Sequence, residues 1–152
     1  MAVDIAAGDT TSHIVYSQVN RRGGAAKGAM TVACRLTIDP NVDDNYPTGG
    51  ILLTNMFTAD AVGDIGMDPS KPIIGVCSPC RANDGVVLFI KAYFYNGGTT
   101  AAAQTLVLMN IIEGGSTIAI QEVALPNSDI TAAALLGDDE MECDIVFYGT
   151  ER

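Results

Sequence analysis

The sequence predicts an all-β fold, an antiparallel β-sandwich of jelly-roll-like layout with an extended N-terminal arm. Three observations carry that reading. Both ends of the stretch 29–152 alternate apolar and polar side chains with the period of two expected of half-buried strands. Between them lie β-branched and aromatic runs separated by glycine-rich breaks, the pattern of consecutive hairpins. Helical signals are few and short.

Residues 1–28 form the arm and residues 29–152 the β-sandwich body. The arm contains one strand-like run, His13 to Val19, and ends in the basic, glycine-rich segment Arg21 to Gly28. In the body, Val32, Cys34, Leu36 and Ile38 share one face of a strand, with Thr31, Ala33, Arg35 and Thr37 on the other. Gly50 to Thr54 and Pro72 to Cys77 are short strand candidates. Val86 to Tyr95, Gln104 to Ile112 and Ser116 to Leu125 are longer ones, divided by Asn96-Gly97-Gly98 and Gly114-Gly115. In a closing strand, Cys143, Ile145 and Phe147 alternate with Glu142, Asp144 and Tyr148, and Val146 interrupts the polar side. The total of eight strands suits two four-stranded sheets. Helix is expected only as connectors, at Thr54 to Val62 and at Asp129 to Leu136.

A chain of 152 residues fits one domain and buries roughly 68–70% of its extended surface on folding. Its 48% hydrophobic and 17% charged composition excludes a disordered chain. Eight basic residues stand against 18 acidic ones, a net charge of -10, which argues against a broad nucleic-acid-binding face. The charge is segregated. Residues 1–28 carry three basic and two acidic groups, and residues 29–152 five and 16. Arg21, Arg22 and Lys27 therefore stand out as a basic tip suited to an acidic neighbour, or else as a solvated loop. The apolar runs are far shorter than the roughly 20 residues of a membrane span, and Met1 to Thr11 lacks the basic start of a secretory signal, so a soluble chain is expected.

In the central strands both faces are apolar. Val87, Phe89 and Tyr93, with Val107, Met109 and Ile111, form a second surface beyond the one the core needs, and a self-association face is favoured over cover by the chain's own loops.

Chemical motifs are incomplete. His13, the single histidine, lies in the arm, a poor catalytic frame. Gly23 and Gly28 have phosphate-loop spacing, but Ala29 and Met30 stand where Lys and Ser or Thr are required. Asp39, Asn41 and Asp43 match the opening ligands of a calcium loop, whereas Asp44 and Gly50 occupy the places of its turn glycine and bidentate acid. The acidic run Asp138, Asp139, Glu140, Glu142 and Asp144 reads as a wet surface. Cys77-Ser78-Pro79-Cys80 reads as a proline-containing turn, with four ordinary thiols preferred to a redox dithiol or a zinc site completed by Cys34 and Cys143. Neither enzymatic activity nor a metal or other cofactor is expected.

The segment Asn45-Tyr46-Pro47-Thr48-Gly49-Gly50-Ile51-Leu52-Leu53-Thr54 resembles a Tyr-x-Thr-Gly-Gly-x-x-Leu-Thr segment of small structural proteins of tailed bacteriophages, particularly capsid decoration or cement proteins. Its residues read as fold-forming: tandem glycines give a sharp turn into a short strand, and Leu53-Thr54 leads into a brief helical turn. The resemblance implies a β-sandwich, often trimeric, that sits on the outer capsid where capsomers meet and braces the shell. Its partners would be the major capsid protein and further copies of itself, with no nucleic acid or membrane. It would be made in a reducing bacterial cytoplasm, consistent with unpaired thiols. The alternative is a fibre or tail β-sandwich module that binds a receptor or glycan through exposed aromatics, for which Tyr16, Tyr46 and Tyr148 are available.

Overall fold

The computed structural model describes residues 7–23, 27–39, 47, 49–82, 87–114, 117–122 and 141–152; side chains are described for these except 81–82, 87–91, 109–114 and 117–122. The strands are β1 (Thr10–Asn20), β2 (Ala29–Ile38), β3 (Ile51–Leu52), β4 (Ile74–Cys77), β5 (Pro79–Ala82), β6 (Val87–Asn96), β7 (Gln104–Gly114), β8 (Thr117–Glu122) and β9 (Met141–Thr150). Every pairing among them is antiparallel. Hydrogen bonds link them in the order β1-β2-β9-β5-β6-β7-β3, with β4 also on β9 and β8 also on β7. Helical structure among the described residues is limited to 3-10 turns at Ala7–Asp9, Thr54–Phe57 and Ala101–Ala103. The fold is all-β.

Two details differ from the sequence reading. The helical connector expected to run to Val62 stops at Phe57, and Thr54 lies inside it without a side-chain cap; the connector at Asp129 to Leu136 lies outside the described residues. The second difference is a ninth strand, β5, in place of a turn at Cys77 to Cys80. The Ser78 N–H donates to the Asp144 carbonyl at 2.8 Å, and Ser78 Oγ accepts from the Asp144 N–H at 2.9 Å. A side-chain oxygen thus stands in for a backbone one. The chain stays on the edge of β9, and Pro79 occupies a register shift where a missing N–H is tolerated.

The strand β9 is the centre of the fold. It pairs with β2 along its whole length, from Ala29 opposite Thr150 to Ile38 opposite Met141. Cross-strand partners share a face, so Val32, Cys34, Leu36 and Ile38 of β2 meet Phe147, Ile145, Cys143 and Met141 of β9 on the buried side. On the other edge of β9, β4 and then β5 follow one another. β5 pairs with β6, which pairs with β7 and packs on β4 without pairing to it. The contact is close because Gly75 has no side chain: a Cβ there would lie 2.6 Å from Phe94 Cβ. Phe94 in turn meets Phe147 at 5.1 Å between ring centroids, and Phe57 completes a trio at 5.6 Å from Phe147 and 5.9 Å from Phe94.

Of the stretch read as an arm, residues 10–20 form β1, which pairs with β2 from Thr10 opposite Ile38 to Asn20 opposite Ala29. Arg21, Arg22 and Lys27 therefore lie between two strands that pair with each other.

Arg152 fastens the loop after the Thr54–Phe57 turn to the end of β9. Its guanidinium donates to Asp64 Oδ2 at 2.6 Å, to the Phe57 carbonyl at 2.8 Å and to the Met67 carbonyl at 3.0 Å. Burial alone pushes the Asp64 carboxyl up, but the bonds from Arg152 and from the N–H groups of Gly66 and Asp60 outweigh it and hold the group below its ordinary value of 3.8. Arg152→Ala should cost about 2 kcal/mol at neutral pH, because two carbonyls and a carboxylate lose a charged donor. A depressed carboxyl stabilises the fold above its unfolded pKa and loses that effect as pH falls through the folded one. The gap between the parent chain and Arg152→Ala, measured by urea unfolding, should accordingly narrow below pH 3.8.

Candidate functional site

The basic tip is partly spent inside the fold. Arg21 Nε and Nη2 donate to the Glu151 carboxylate, and the Gly28 N–H reaches the same carboxylate at 3.2 Å. The Arg21 bond holds the Glu151 carboxyl below its ordinary value, and Glu151 raises the Arg21 guanidinium. Gly28 is required here: a Cβ would lie 2.5 Å from the Asn20 carbonyl oxygen. Arg22 and Lys27 are exposed and, with Asn20, Gly28 and Ala29, line a shallow concavity at the hairpin end. Of the three cations expected to dock, Arg21 thus also has a structural role, and Arg22 and Lys27 face outward.

On the β6–β7 pair, Tyr93 lies opposite Val107 and Tyr95 opposite Thr105. Tyr93 and Tyr95 are exposed and Val107 is half-buried, while Ala92, Leu106 and Leu108 point into the core. Met109 pairs with Lys91 along the backbone; Val87 and Phe89 lie in β6 and Ile111 in β7. The side chains of Val87, Phe89, Met109 and Ile111 lie outside the described set.

A second apolar surface escaped the sequence reading. Across the outer face of the sheet, Val76, Val146, Ala33 and Tyr16 are successive cross-strand partners, and Ile74 and Tyr148 form the next row. Ile74 is 64% and Val76 58% exposed. In β4 the residues alternate Ile, Gly, Val, Cys, and the larger set would ordinarily be assigned to the core. Phe94 occupies the space above Gly75 instead, so the isoleucine and valine point outward.

The four cysteines come from β2, β4, β5 and β9 and gather on one side of the sheet. Cys34 and Cys77 pair with Ile145 from either flank, and Cys80 hydrogen-bonds Cys143. Among the described residues no group of three or more His, Cys, Asp or Glu is placed to hold a metal ion. Burial, then Cys77 and Asp144, push the Cys34 thiol up to about 12; the bond to Cys80 and burial also raise Cys143. Native Cys34, buried and with its thiol held protonated, should therefore alkylate far more slowly than in urea, a ratio that mass spectrometry of iodoacetamide-treated protein reads directly.

Among the described residues the remaining motifs gather into no further constellation. His13 is exposed on β1, opposite Arg35. The Asp39 N–H donates to the Asp9 carbonyl, while Asn41 and Asp43 lie outside the described residues. Of the acidic run, Asp144 accepts from Arg35 Nε at 3.1 Å and Glu142 lies beside it in β9; Asp138, Asp139 and Glu140 lie outside the described residues.

In the segment that follows Pro47, Gly49 and Gly50 adopt φ of 89° and 103°, and the Gly50 N–H donates to the Pro47 carbonyl at 3.1 Å. A Cβ on Gly50 would sit 2.8 Å from the Leu106 carbonyl oxygen, so the turn brings backbone against backbone and sets β3 beside β7. Ile51 and Leu53 are buried, and the segment shapes the core. Comparison with protein-family models, curated proteins and solved structures finds no match.

Proposed function

We propose that the chain is a structural protein of a bacteriophage virion, a capsid decoration or cement protein that binds the outer surface of the head and stabilises the shell. The observation that carries this reading is the display of large apolar side chains on broad sheet faces: Tyr93 and Tyr95 on β6, and Ile74, Val76 and Tyr148 on β4 and β9. Surfaces of this kind are made for contact with other proteins. The described residues of the segment Pro47 to Thr54 serve the fold, as their glycines and apolar residues led the sequence reading to expect. The close approach of Gly75 to Phe94 and the three-ring cluster support a sandwich of jelly-roll-like layout.

On this reading the chain works without catalysis, in the virion, after synthesis in the host cytoplasm. Arg22 and Lys27, steadied by the Arg21–Glu151 pair, meet an acidic patch of the major capsid protein. The β6–β7 face, with Tyr93 and Val107 at its described end, joins copies into an oligomer, with a trimer favoured. The test is sedimentation of the purified chain with phage heads. Co-sedimentation is expected, and Arg22→Ala combined with Lys27→Ala should weaken it about ten-fold. Failure to sediment with any head overturns the reading.

The exposure of Tyr16, Tyr93, Tyr95 and Tyr148 favours a second reading, a fibre or tail module that binds a receptor or glycan. Binding to cell-surface sugars by a chain that ignores heads would select it.

A further inference from the structure

Among the described strands, β1 lies at the end of the sheet. One edge pairs with β2 from Thr10 to Asn20, and no described strand pairs with the other. A bare edge offers a row of backbone donors and acceptors, and proteins usually blunt it with charge, proline, shortness or a bulge. β1 is 11 residues long and carries neither a charged residue nor a proline. Among the described residues, a register shift between Ile14 and Tyr16 is what blunts it. The strand is also bare above and below: every residue from His13 to Asn20 is exposed, and Val15, at the register shift, is 69% exposed.

The charge pattern names the occupant. Asp9 immediately precedes β1, and Arg21 and Arg22 immediately follow it, in a chain whose net charge is -10. A second β1 laid antiparallel along the edge brings its own Asp9 beside the first copy's Arg21 and Arg22, and the reverse at the other end. The uncharged middles meet between them, so two strongly acidic chains approach along a strand that holds none of their 18 acidic residues. The row Val76, Val146, Ala33 and Tyr16 ends at this edge, and pairing continues it toward the second copy's Tyr16.

We propose that the open edge of β1 is an interface between two copies of this chain, paired antiparallel about a two-fold axis near Val15. Such a contact is isologous: each copy gives the same strand, and one continuous sheet crosses the axis. It uses a surface separate from the β6–β7 face, shares Arg22 with the basic tip's proposed capsid contact, and needs no virion to form.

The test uses the full chain and two variants, Val15→Lys on the edge and Tyr93→Lys on the β6–β7 face, followed by sedimentation velocity from about 1 to about 100 µM. Hydrogen exchange of β1 is measured over the same range. The expected result is self-association that Val15→Lys weakens at least about ten-fold and Tyr93→Lys leaves in place, with β1 amide protection rising with concentration only where Val15 is kept. Matching far-ultraviolet circular dichroism and thermal melts establish that Val15→Lys still folds. Association unaffected by Val15→Lys places the contact elsewhere and overturns the proposal. So does a monomer throughout the range, or β1 protection independent of concentration, which would mean that the chain covers its own edge.

Discussion

Phe147→Ala should lower stability by about 3–5 kcal/mol. Phe147 is fully buried and sits where three parts of the fold converge: Phe57 from the turn after β3, Phe94 from β6, and Val32 and Gly75 as its neighbours across β2 and β4. Removing the ring takes away two edge-to-face contacts as well as buried area, and the backbone of β9 cannot close the gap because it is held by strands on both sides. Against a typical total of about 5–15 kcal/mol, the loss should lower the melting temperature by about 10 °C or more. Phe147→Leu keeps most of the volume and should cost less than half as much. A loss below about 1 kcal/mol for Phe147→Ala would mean that the trio is not the packed centre of the sheet.

The parts of this fold that were legible in the sequence are those in which neighbouring residues decide the structure. The alternation in Val32 to Ile38 and in Cys143 to Phe147 marks both strands and their buried faces, because a period of two is visible in seven residues without knowledge of the partner strand. The glycines after Pro47 announce a turn for the same reason. What stayed hidden depends on residues far apart. The Ser78 hydroxyl replaces a ladder bond only because Asp144 lies across from it, so Cys77 to Cys80 reads as a turn until β9 is in place. Arg21 is identifiable as a cation, but its bond to Glu151 spans 130 positions and gives it a structural role that Arg22 and Lys27 do not share. Gln104 looks like an ordinary strand start. Its buried Nε2 lies within hydrogen-bond distance of Asn96 Oδ1 and the Gly98 and Thr100 carbonyls, where it organises the β6–β7 loop. The candidate surfaces divide in the same way: the tyrosines of β6 are evident from their spacing, and the outward aim of Ile74 and Val76 depends on Phe94.

Gly75→Ala is the second substitution expected to have a large effect, about 2–3 kcal/mol, although it adds a single methyl group. In an ordinary exposed strand the same change would be neutral or favourable, since alanine loses less backbone entropy than glycine. Here the new carbon would lie 2.6 Å from Phe94 Cβ, 2.7 Å from Cγ and 2.9 Å from Cδ1. These atoms are the stem of the side chain, so a rotamer change cannot clear them all. β6 must move off β4, and Phe94 must leave the ring cluster with Phe57 and Phe147. The sign of the effect therefore reports whether the two strands face each other across the core. A double-mutant cycle with Phe94→Ala sharpens the reading: once the ring is gone, β6 can settle, and the cost of Gly75→Ala should fall by at least about 0.5 kcal/mol. Additive costs, or a Gly75→Ala chain as stable as its parent in urea, would separate β4 from β6 and remove the packing that supports the proposed sandwich.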